Sequence, residues 1–100
     1  MSWVQDALCA LRQGQSVSVR PQGGSMRGRI ESGQLVILAP VKLTDIAGGD
    51  IVFVRWKGNY LLHMVRDIQD HRYLIGNNLG KLNGWVVETD ILAKATVVES

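Results

Sequence analysis

After residue 15 the apolar residues of this chain fall into seven short runs, each ended by turn-forming residues, and this spacing constrains the fold more than any other feature. "SVSVR" (16–20) alternates apolar and polar side chains, as a half-buried strand does. "QLVILAP" (34–40) and "DIVFVRW" (50–56) are continuous apolar runs of strand length. "YLLHMVRDI" (60–68), "HRYLIG" (71–76), "GWVVE" (84–88) and "AKATVVE" (93–99) complete the set. "KGNY" (57–60) carries the Gly-Asn chemistry of a hairpin turn, and "IAGGDI" (46–51) reads as a tight turn into a strand.

Ahead of these runs the spacing changes. Val4, Ala7, Leu8 and Leu11 recur at helical intervals, Ser2 can cap the first turn, and Gly14 is placed to end the helix in a left-handed C-cap. Residues 1–14 are therefore expected to form one short helix, stable only when docked on something else. Cys9, inside "ALCAL", reads as a small buried packing residue. One hundred residues suffice for one core, so a single domain over 1–100 is expected. Its class is mainly β, either a small β-barrel or a folded antiparallel sheet, with one N-terminal helix.

Composition narrows the chemistry. The net charge is +2, and no cluster of five basic residues occurs. Arg27 and Arg29 beside Gly28 are too few for an electrostatic footprint, and Trp3, Trp56 and Trp85 are scattered rather than interleaved with basic residues. These features argue against nucleic acid as a partner. A lone cysteine excludes an internal disulfide and a Cys-based zinc site, and no metal or cofactor is expected. No apolar run approaches the ~20 residues of a membrane-spanning helix. The N-terminus has Asp6 and no basic leader, so a soluble, cytoplasmic chain without a membrane span is expected.

One stretch is not explained by strand and turn alone. In "RPQGGSMRGRI" (20–30), Gly23 and Gly24 precede a Ser25-Met26 pair. Residues without a Cβ let the backbone bend sharply and let another chain come close. A serine mounted just after such a bend offers a reachable hydroxyl beside backbone N–H donors, which an acyl-transfer nucleophile needs. A plain flexible turn would use the same residues. His63 is the second unusual residue, an imidazole in the otherwise apolar "YLLHMV". It suits a general base for a serine hydroxyl, and equally a core histidine satisfied by a backbone carbonyl. His71, between Asp70 and Arg72, reads as solvated surface.

Taken together, "GGSMRGRIESGQLVILAP", "GGDIVFVRWKGNYLLHMVRDI", "LIGNNLGKLNGWV" and "DILAKATVV" resemble the type I signal peptidase and SOS-repressor (LexA-like) superfamily of serine peptidases. The likeness runs from about Ser16 to Val98. It implies a mainly-β fold, Ser25 as nucleophile, and a base at the position of His63, which places the chain with the Ser-His branch. Met26 resembles the family residue beside the substrate pocket, although core filling would also explain it. Met64 follows His63 where the family usually has a basic residue.

The resemblance breaks at the third member. Asn77, in "LIGNNLG", stands where the histidine branch has the aspartate that orients the imidazole. An amide can hydrogen-bond but brings no charge, and a comparable change in a serine triad costs about 10⁴ in turnover. Asp67 and Asp90 are the nearby carboxylates, Asp90 also suiting a cap on a short turn before the last strand. Three outcomes follow: a slow Ser-His dyad, a substituted acid, or an inactive relative that binds peptide or dimerises. The substrate implied is a polypeptide bound as an extended strand beside Gly23, Gly24 and Met26, and an exposed edge strand would suit a homodimer. Only 24 residues precede Ser25, with no Ala-Gly pair among them, so regulated self-cleavage is not expected.

Overall fold

The structure is a computed structural model that describes residues 3–20, 34–40, 45–77 and 80–99. Within these residues one helix, α1 (Trp3–Arg12), precedes seven strands: β1 (Val17–Val19), β2 (Leu35–Ala39), β3 (Ile51–Trp56), β4 (Asn59–Gln69), β5 (Arg72–Gly76), β6 (Leu82–Val87) and β7 (Ile91–Glu99). They form one antiparallel sheet in the order β1-β2-β7-β3-β4-β5-β6. The fold is mainly β with an N-terminal helix, as the apolar runs imply. The barrel alternative is not realised, because β1 and β6 remain at the two ends of the strand order.

The helix ends as its sequence requires. Gly14 adopts φ +73°, its N–H donates to the Leu11 carbonyl, and the Gln15 N–H donates to the Ala10 carbonyl. This is a Schellman closure, available to glycine without steric cost. Ala7 is buried, and Val4, Leu8 and Leu11 pack with it against Val36, Leu38, Phe53 and Met64. Cys9 corrects an expectation: it is exposed, because position 9 falls between the apolar stripe positions rather than on them. Ser2, the expected cap, lies outside the described residues.

Strands β3 to β6 form a meander, and β7 then returns to pair with both β3 and β2. Only the single 3-10 turn Glu88–Asp90 connects β6 to β7. In a flat sheet these strands would stand four spacings apart, about 19 Å. Four residues of extended chain reach ~14 Å at most, and a 3-10 turn reaches less. The meander therefore has to curl. Its concave face buries Val52, Val54, Val65, Tyr73, Ile75, Val86 and Ile91 in a cluster separate from the helix-side core.

One contact records the closeness of that curl. Trp56 on β3 lies over Gly84 on β6, although two strands separate them in the sheet. A Cβ at Gly84 would sit 2.7 Å from the Trp56 ring, and Gly84 also holds φ +152°. Gly84→Ala is thus expected to lower stability by about 1–3 kcal/mol through overpacking and strain. Thermal unfolding followed by circular dichroism measures it, and an unchanged midpoint would mean the two strands are not in contact.

Two of the three hairpins of the meander use two-residue turns with positive φ at both positions. Lys57 and Gly58 (φ 49° and 80°) join β3 to β4, while Asp70 and His71 (φ 49° and 63°) join β4 to β5. The second pair contains no glycine, so each side chain bears the left-handed penalty. His71 is otherwise exposed, near Glu88 at 3.2 Å, a surface pair of small worth. His71→Gly should raise stability by roughly 0.5–1 kcal/mol after glycine's extra chain entropy is subtracted. A lower denaturation midpoint in the variant would contradict this account of the turn.

Candidate functional site

His63 lies on β4 with its neighbours alternating to opposite faces of the sheet. Leu62 and Met64 belong to the helix-side core, whereas Leu61 and Val65 belong to the concave cluster. His63 shares the concave face and is only 6% exposed. It is the one buried polar or charged side chain among the described residues. Its Nδ1 is hydrogen-bonded to the carbonyl oxygen of Leu62. Among the described residues no buried side-chain nitrogen or oxygen is left without a partner.

The register sets a row of residues across the sheet at this level. Ala39 on β2 faces Lys94 on β7, Lys94 faces Val52 on β3, and Val52 faces His63 on β4. Met64 pairs with Gly76, so continuing that register by one step sets Asn77 opposite His63. The ladder itself ends at the Met64–Gly76 pair, and Asn77 follows directly after β5.

Asn77 has a structural task at this point. Its backbone N–H donates to the Lys81 carbonyl at 2.9 Å, and its side-chain Oδ1 accepts from the Lys81 N–H at 2.9 Å. Together these close the loop from β5 to β6. Gly76 beside it allows the fold-back, since a Cβ there would lie 2.7 Å from the Lys81 carbonyl oxygen. Losing the Oδ1 bond in Asn77→Ala should cost about 1 kcal/mol. A urea titration checks this, and a midpoint equal to the parent's would show that the loop does not depend on that oxygen.

The carboxylates near the site are also engaged. Asp67 accepts from the Ile68 N–H at 2.8 Å and from Gln69 at 3.1 Å. Asp90 pairs with Arg55 at 3.2 Å and accepts from the Val87 N–H, so it does help to hold the turn before β7. Asp50 is one that motif reading used only as part of "GGDIV". It accepts from the Ala47 N–H at 2.8 Å and pairs with Lys94 at 3.1 Å. Lys94 also donates to the Asp45 carbonyl. Lys94 was missed by sequence reasoning, because nothing in "AKATVV" marks a lysine that crosses to the turn before β3. Beside it, Ala39, Pro40, Asp45, Lys94 and Thr96 line an open cleft of about 430 Å³. Gly23, Gly24, Ser25 and Met26 lie outside the described residues.

A family model described as Peptidase S24-like matches residues 2–93. The chain belongs to that family. It is therefore a member of the serine peptidase-like superfamily that includes the LexA-like and signal-peptidase-like proteins. The family match covers α1 and runs into β7 at Ala93, so it spans every strand that positions His63. No curated protein matches the chain at a significant level. Among the described residues no helix is long and apolar enough to cross a membrane.

Proposed function

We propose that this S24-like chain is a serine endopeptidase in which Ser25 is the nucleophile and His63 the general base, acting on a polypeptide bound as an extended strand. The observation that carries the proposal is His63 itself: an imidazole on the apolar concave face of a peptidase-family fold. A charged or polar group at such a position needs a reason to be kept. Catalysis supplies one.

The chemistry is two-step acyl transfer. The Ser25 hydroxyl gives its proton to His63 Nε2 as its oxygen bonds to the substrate carbonyl carbon. The C–N bond then breaks, and the proton passes from Nε2 to the departing amine. Water repeats the sequence on the acyl-enzyme: its proton goes to Nε2, its oxygen bonds to the acyl carbon, and the ester bond to Ser25 breaks with the proton returned to that oxygen. Backbone N–H groups after Gly23 and Gly24 would stabilise the oxyanion.

Chain reach is compatible with this assignment. Ser25 follows Val19, the end of β1, by six residues, or about 20 Å of extended backbone. β1 and β4 are four strands apart in the order, ~19 Å in a flat sheet and less in a curled one. The cleft beside Lys94, between β2 and β7, lies on the path between them and suits one stretch of the substrate.

A fluorophosphonate probe tests the assignment. The intact protein should gain the phosphonyl mass on Ser25, Ser25→Ala should gain none, and His63→Ala should react ~10²–10⁴ times more slowly. A protein that folds and binds peptide but leaves the probe untouched would instead be the non-hydrolytic relative, for which Asn77 in place of an aspartate is the supporting feature.

A further inference from the structure

We infer that the backbone carbonyl of Leu62 is the group that orients His63, taking the place of an acidic side chain. The inference rests on His63 being the base, and it concerns which nitrogen of that base carries the proton.

A peptide carbonyl has lone pairs and no hydrogen, so it can only accept. Its partner Nδ1 must therefore be the protonated nitrogen of the neutral ring. Nε2 is then the nitrogen with the free electron pair, the one a general base presents to a serine hydroxyl. An orienting aspartate does this same work at Nδ1 in a triad. In this chain the work is done from within β4, one residue before the histidine.

Among the described residues, four side chains that could serve instead have other partners. Asp67 on β4 is bonded within its own strand, and Asp90 before β7 is held by Arg55. Asp50 before β3 is held by Lys94, and the Asn77 oxygen opposite His63 accepts from the Lys81 N–H. The Leu62 carbonyl is also better fixed than a side chain would be. Leu62 is buried and faces Phe53 across the β3–β4 ladder, so the acceptor is a backbone group held inside the sheet and not a side chain with rotamers of its own. What the carbonyl lacks is charge. It sets the tautomer but gives the imidazolium only a dipole.

The tautomer can be read directly by long-range ¹H–¹⁵N correlation on protein carrying ¹⁵N-histidine, at a pH where the ring is neutral. There are two histidines, and His71→Gln assigns the spectrum. The expected result is a protonated, pyrrole-like Nδ1 and an unprotonated, pyridine-like Nε2 for His63, retained in Asn77→Ala. A protonated Nε2, averaging between tautomers, or loss of the pattern in Asn77→Ala would each overturn the assignment to Leu62. The readout does not depend on turnover. Silence toward the fluorophosphonate with Nδ1 protonated would sink the peptidase reading alone, whereas labelling with Nε2 protonated would sink the orientation alone.

Discussion

The short link between β6 and β7 is the constraint on which the rest depends. A meander of four strands laid flat would leave β6 too far from β3 for three residues to carry the chain back beside it. Curling is the only way to satisfy the connection, and curling creates a second apolar interior on the face away from α1. β3 and the middle of β4, which lie between the two interiors, must then be buried on both faces. That explains why Ile51, Val52, Phe53 and Val54 are consecutive buried residues where an open sheet would have alternated.

The same constraint gives His63 its environment. On a flat sheet covered by one helix, the face carrying His63 would be open to water, and an imidazole there would need no explanation. The curl instead sets it against Val52 and the concave cluster. Trp56 over Gly84 closes the other end of the concavity. At the start of β3, Asp50 fixes the turn to Lys94 on β7, with Gly49 at φ +93° making that turn possible. The position of β3 relative to β7, and with it the Val52–His63 pair, is thereby tied at the level of the candidate base.

Much of this was legible in the sequence. The seven apolar runs become seven strands with ends moved by a residue or two, because strand length is written in apolar spacing and turn residues. Gly14 as helix stop and His63 as the odd polar residue were legible for similar reasons, each being a local departure from its surroundings. Cys9 misled because an apolar neighbourhood is not an apolar face. The Asp70-His71 turn was hidden because neither residue announces a left-handed backbone as glycine does. Open sheet and closed barrel could not be told apart, since the difference lies in whether β6 bonds back to the far side, and strand spacing carries no record of that. The Leu62 carbonyl is invisible in principle: every residue has one, and only geometry selects it.

Orientation by a carbonyl and orientation by a carboxylate differ in what they do after the proton moves. Both hold the ring with Nε2 toward the nucleophile, so both supply the proximity and tautomer terms. Only the carboxylate neutralises the imidazolium that forms when the serine proton arrives, and in a partly desolvated site that charge interaction is large. A dyad held by Leu62 would thus keep its geometry while losing much of its electrostatic stabilisation. Residual activity would then depend on the oxyanion donors near Ser25 and on how well a bound strand aligns its carbonyl. On this reasoning Asn77 is not a failed aspartate. Were tautomer control built into β4, Asn77 would be relieved of the orienting role, and its side chain would serve only the β5–β6 loop that it closes through the Lys81 N–H.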